Sequence, residues 1–183
     1  MRILGAVAVV SLLGCGGEVV GNVDGTSIQV REAALVLFSS DPPSASILLS
    51  DQLGFCEVLG KNQLIANSNI FAMNMLRIAQ DGRPTLSLDP GSYAVSPPAV
   101  DLPSSPGRYS QFRFSALDGQ CRGLLVPDRA RAESGAVELT SYDSKRARGT
   151  FDATFGSGDR LTGTFDAPAC SIVINDNPVT CKK

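Results

Sequence analysis

Residues 135–169 read GAVELTSYDSKRARGTFDATFGSGDRLTGTFDAPA, and their alternation decides the fold class. Three runs stand out: GAVELTSY (135–142), ARGTFDATF (147–155) and RLTGTFDA (160–167), divided by a charged turn and a glycine-rich one. The pentapeptide GTFDA occurs twice, at 149–153 and at 163–167. A period of two places Gly149, Phe151, Ala153 and Phe155 on one face and Arg148, Thr150, Asp152 and Thr154 on the other. The second copy divides in the same way, with Leu161, Gly163, Phe165 and Ala167 inward and Thr162, Thr164 and Asp166 outward. This is the pattern of antiparallel strands with one buried and one solvated face. Opposed residues of an antiparallel pair point the same way, so two registers remain open. One sets Phe151 opposite Phe165 across a 156–160 loop, and the other sets Phe151 opposite Gly163 across Gly156, Ser157 and Gly158. A shift by one residue would expose both phenylalanines.

Outward from this segment the chain keeps the same character. RYSQFRFSAL (108–117) puts Phe112, Phe114 and Ala116 on one face, and Tyr93 to Val95 reads as a short strand. IFAMNMLRIAQ (70–80) suits either a strand or a helix; its strand-like neighbours favour strand. EVVGNVD (18–24) and TSIQVREAALVLFS (26–39) flank Gly25, and Asp-Gly is a strong hairpin signal, so they are expected to pair as a first hairpin. ILLSDQLGFCEVLG (47–60) breaks the alternation; Leu49, Leu53, Cys56 and Leu59 fall at helical spacing, with Ser50 or Asp51 as a cap. PDRARAES (127–134) reads as a solvated loop, 172–174 as a last strand, and SPPAVDLPSSPG (96–107) as the longest surface loop, since its prolines cannot donate to a ladder. The expectation is therefore an all-β domain, an antiparallel β-sandwich of immunoglobulin-like or similar form with one short helix. A closed β-barrel is the alternative.

Five cysteines are present, at 15, 56, 121, 170 and 181. Residues 3–13 are almost uninterruptedly apolar behind Arg2, as in a secretory signal peptide, and fall short of the roughly 20 apolar residues that span a bilayer. The sequence Leu12, Leu13, Gly14, Cys15 at the end of this run resembles the lipobox of bacterial lipoproteins. That resemblance implies removal of residues 1–14 and a diacylglycerol on the Cys15 thiol. Residues 15–17 would then be the lipidated cysteine and a tether, and 18–183 a single β-domain. Gly16, standing where aspartate would imply inner-membrane retention, implies the outer membrane. A tether of a few residues reaches roughly 10 Å, so the domain would sit against the bilayer.

Export to an oxidising compartment makes Cys56, Cys121, Cys170 and Cys181 disulfide candidates. Three connectivities are possible. Cys56 with Cys170 and Cys121 with Cys181 is preferred, because it ties the helical insertion and the tail to the body; a Cys170–Cys181 bridge competes with it.

The absence of histidine excludes Ser-His-Asp and Cys-His catalysis and histidine metal sites, and no phosphate-binding or dinucleotide-binding glycine motif occurs. A formal net charge of -2 gives no electrostatic footprint for nucleic acid. No cofactor, no metal and no enzyme activity are expected. The chain resembles small envelope lipoproteins of Gram-negative bacteria, and the stretch 18–37 resembles the first hairpin of bacterial immunoglobulin-like or transthyretin-like modules. These resemblances imply a membrane-anchored, non-catalytic protein that acts through an envelope protein partner or a structural role. The alternative is a ligand- or saccharide-binding module, for which Tyr93, Tyr109 or Tyr142 would line a concave pocket.

Overall fold

The computed structural model describes residues 16–38, 44–85, 88–96, 105–170 and 180–182. The chain is all-β with one short helix. In order, the elements are β1 (Gly17–Gly21), β2 (Glu32–Phe38), β3 (Ser44–Ser50), α1 (Phe55–Gly60), β4 (Gln63–Ile65), β5 (Asn69–Ile78), β6 (Pro84–Thr85), β7 (Gly91–Val95), β8 (Gly107–Ala116), β9 (Ala132–Asp143), β10 (Arg146–Phe155), β11 (Arg160–Pro168) and β12 (Thr180–Lys182). One large sheet runs β1-β11-β10-β9-β7-β8-β5-β3-β2, with β6 attached to β5; β4 and β12 form a separate pair. The sheet curls until its ends meet. Just beyond β11, Ala169 forms a parallel bridge with Leu35 of β2, and the Cys170 N–H donates to the Leu35 carbonyl at 2.7 Å. A nearly closed sheet of this kind fits the expected sandwich or barrel.

The repeated pentapeptide sets the register of the β10–β11 hairpin. Phe151 lies opposite Gly163, Gly149 opposite Phe165, and Thr150 opposite Thr164, so the two copies are related by a local two-fold. The three-residue turn Gly156-Ser157-Gly158 closes it, with Gly158 at φ 86°, the left-handed position that such loops need. Each phenylalanine covers the other copy's glycine. A Cβ on Gly163 would stand 2.8 Å from the Phe151 ring, and one on Gly149 would stand 2.7 Å from the Phe165 ring. The Phe151–Phe165 register would set ring against ring and leave both glycines uncovered. Across the interior, Phe71 of β5 meets Phe151 at 4.9 Å, Phe155 at 6.1 Å and Phe112 edge-on at 5.7 Å, so opposite walls are joined by one aromatic cluster.

Several expectations are revised by partner choice rather than by local propensity. The Asp24-Gly25 turn forms, with both residues at positive φ and reciprocal Val23–Thr26 hydrogen bonds of 2.8 and 2.9 Å. It is not a long hairpin: β1 pairs with β11, and β2 pairs with β3. β2 is buried on both faces, Ala33 and Leu35 in the main core and Ala34 and Val36 beneath α1, a demand that the half-exposed β1 could not meet. The helix starts at Phe55, and 47–50 instead completes β3. Its first turn is capped from outside: the Glu32 carboxylate accepts the Phe55 and Cys56 N–H groups at 3.1 and 2.9 Å. Ser50 and Asp51 serve other partners, the Gln52 and Asn69 backbone N–H groups. The 70–80 segment is a strand, with Phe71, Met73 and Met75 fully buried. The 127–134 loop shortens, because Ala130 is buried and Ala132 already opens β9. The sheet is also mixed rather than antiparallel throughout, since β7 runs parallel to β8. The 172–174 strand and most of the 96–107 loop fall outside the described residues.

Candidate functional site

Cys15 lies outside the described residues, which begin beside it at Gly16. The Gly16 carbonyl accepts the Asp166 backbone N–H at 2.7 Å, and β1 starts at Gly17. The chain therefore joins the sheet with almost no slack, next to the β9–β10 turn. There the Asp143 carboxylate accepts the Lys145 and Arg146 N–H groups at 2.6 and 2.9 Å. Of the cations near this turn, Arg146 and Arg148 both grip the Asp166 carboxylate, at 2.8 Å from Arg146 Nη2 and 3.1 Å from Arg148 Nε. The Arg146 hydrogen bond holds the Asp166 carboxyl below the usual carboxylate range, with Arg148 adding to it. Further along the same face, Arg160 does the same for Asp152. The outer face of the repeat is thus neutralised from within.

The three tyrosines are tied into the fold. Tyr93 is fully buried, and its hydroxyl both donates to the Asp89 carbonyl and accepts the Asp89 N–H, each at 3.0 Å; burial pushes its pKa up. Asp89 in turn pairs with Arg77 at 2.9 Å, and Arg108 lies over the Tyr93 ring. The Tyr109 hydroxyl donates to the Ser105 carbonyl at 3.0 Å. Both are hydrogen bonds from a strand tyrosine to the backbone four residues upstream, which pin the entry loops of β7 and β8. Tyr142 packs against the core. None of these tyrosines lines the clefts beside Arg131, Arg77 or Leu125.

Five aspartates are held in ion pairs: Asp24 with Arg129, Asp89 with Arg77, Asp118 with Arg122, Asp152 with Arg160, and Asp166 with Arg146 and Arg148. Among the described residues no three His, Cys, Asp or Glu side chains come together as a metal site would need.

The four cysteines form two disulfides, Cys56–Cys170 and Cys121–Cys181, with Cα separations of 5.6 and 5.7 Å. The first fastens α1 over Ala34 and Val36 of β2. The second fastens β12 to the 118–122 turn, where Cys121 sits at φ 59° and the Asp118 carboxylate accepts the Gln120 and Arg122 N–H groups at 2.8 and 2.9 Å. Two such bonds belong to an oxidising, exported environment. No helix of the described residues is long and apolar enough to cross a membrane.

One feature escaped the sequence reading. Where β7 ends, Arg113 of β8 and Arg131 come into direct backbone pairing and line an outer cleft of about 270 Å³ with Asn74, Ser96 and Gln111. The alternation of 108–117 signals that Arg113 faces outward; nothing local signals Arg131 as its neighbour. Compared with known proteins, the chain matches no family model, no curated protein and no solved structure.

Proposed function

We propose that this protein is an exported lipoprotein, held to the outer membrane by lipid on Cys15, whose β-domain is non-catalytic and acts through contacts with another envelope protein. The observation that carries this reading is the run Leu12-Leu13-Gly14-Cys15 behind an apolar segment, in a chain whose other four cysteines are all paired. The packed interior supports it. Phe71, Met73, Met75, Tyr93 and Phe155 fill the space that a ligand-enclosing barrel would leave open. So does the exposure of Leu124 and Val126, 64% and 56%, on a loop that leaves the sheet beside Ala116. Leu124 and Val126 form an exposed apolar surface that a partner protein would cover.

Cys15→Ser tests the anchor: the variant is expected in the soluble fraction, and retention in the membrane would contradict lipidation. A photo-crosslinking residue at Leu124 or Val126 tests the protein contact in the intact envelope. A discrete crosslinked protein is expected; recovery of the uncrosslinked chain alone would overturn the contact while leaving the anchor standing.

A further inference from the structure

We propose that the cleft formed where β7 ends, between Arg113 of β8 and Arg131 at the entry to β9, binds a small oxyanion such as a phosphate group. This site is separate from the anchor and does not depend on it.

The cleft follows from topology. β7 is a five-residue strand wedged between β8 and β9, parallel to one and antiparallel to the other. Further along, β8 and β9 meet directly. Arg113 and Arg131 then form an antiparallel bridge, and the Phe114 N–H donates to the Ala130 carbonyl at 2.8 Å. The fork leaves a notch on the outer surface that Ser96 enters from the end of β7.

Its charge is concentrated, with two arginines meeting across one bridge. Arg77, Arg108, Arg122, Arg129, Arg146, Arg148 and Arg160 each lie within 3.9 Å of a carboxylate oxygen. Arg113 and Arg131 have no carboxylate partner among the described residues, yet they stand directly opposite each other. Like charges opposed across strands are destabilising, and a bound anion removes that cost. The rest of the lining supplies donors. Guanidinium groups donate only, in a fork that matches an oxyanion. The Asn74 carbonyl oxygen already accepts the Ser46 hydroxyl, which leaves the Asn74 NH₂ to donate, and Gln111 adds a second amide. No carboxylate of the described residues lines the cleft. A volume of about 270 Å³ lies just under the usual range for small-molecule sites, so the occupant is a single oxyanion on a small body.

The test is nuclear magnetic resonance of the full chain titrated with inorganic phosphate, chloride being exchanged out at constant ionic strength. Saturable shifts are expected at the Arg113 and Arg131 Nε–H groups and at the Asn74 and Gln111 amides. Arg113→Gln with Arg131→Gln should weaken the apparent affinity at least about tenfold, while Arg31→Gln with Arg83→Gln, two exposed arginines elsewhere, should leave it unchanged. A second readout guards against a folding artefact. In chloride alone Arg113→Gln should raise the melting midpoint by about 1–2 °C, and phosphate should raise the parent protein's midpoint to meet it. Glucose 6-phosphate and vesicles containing phosphatidylglycerol, used in place of inorganic phosphate, separate a soluble phosphate ester from a lipid headgroup; site-specific shifts from either support the cleft. Shifts that do not saturate, that spread equally to Arg31 and Arg83, or that persist in the double variant would overturn it.

Discussion

Between β10 and β11 nine successive residue pairs lie in unbroken register, whereas β4 and β12 share three pairs and have β12 wholly exposed. The first region holds itself together by side-chain fit: phenylalanines sealed over glycines on the inner face, Arg–Asp pairs on the outer. The second has almost no core of its own, and Cys121–Cys181 substitutes a covalent bond for burial. α1 falls between them, resting on Ala34 and Val36, capped by Glu32, and bolted by Cys56–Cys170. Apolar burial thus carries the sheet, and disulfides carry the parts laid over its end. Five variants probe that division.

The largest effect is expected from Phe71→Ala, which empties the junction of four aromatic rings; unfolding in urea should show a loss of about 4 kcal/mol. Gly163→Ala comes next, at about 3 kcal/mol by the same measurement, because the new methyl would meet the Glu18 carbonyl at 2.0 Å as well as the Phe151 ring. Alanine at Gly158, where a Cβ meets nothing within 4 Å, should cost only about 1 kcal/mol, from its positive φ. Near-equal losses at the two glycines would remove the ring-over-glycine argument.

Replacing Cys121 and Cys181 by serine should act locally, with a global loss of about 2 kcal/mol or less. Hydrogen exchange should show the Ala66 amide, bonded to the Lys182 carbonyl at 2.9 Å, losing protection while the amides of β10 keep theirs. Uniform deprotection would place the disulfide in the main body's cooperative unit.

The smallest effect is expected from Asp166→Asn, about 1 kcal/mol at neutral pH, since the pair is partly solvent-screened. The Asp166 pKa is lowered on folding, so its contribution is present above the unfolded value of about 3.9 and fades as pH falls through the folded one. The gap between parent and variant should therefore begin to narrow as pH falls below about 4 and close only below the folded pKa; a gap that did not narrow would argue against the ion pair as its source.

The sheet was legible where one face is buried and the other wet. In 149–167 the alternation alone assigns every side chain its face. It leaves two registers, because both keep Phe151 and Phe165 inward; only the fit of ring to glycine and the Gly158 turn distinguish them. Legibility failed where burial is two-sided or the partner is distant. In 47–50 and in β2 both faces are covered, so the period of two disappears. The Asp24-Gly25 turn was visible, but a turn does not name the strands that its arms will join. The parallel β7–β8 pair and the meeting of Arg113 with Arg131 depend on residues far apart in the chain, and no local pattern encodes them. The proposed lipidation site is the reverse case, a short motif read entirely from local sequence.

That motif admits a direct measurement. Intact-mass and peptide mass spectrometry of the protein extracted from membranes should find an acylated N-terminal Cys15, residues 1–14 removed, and Cys56 linked to Cys170 and Cys121 to Cys181. A soluble chain with an unmodified Cys15 would contradict the account.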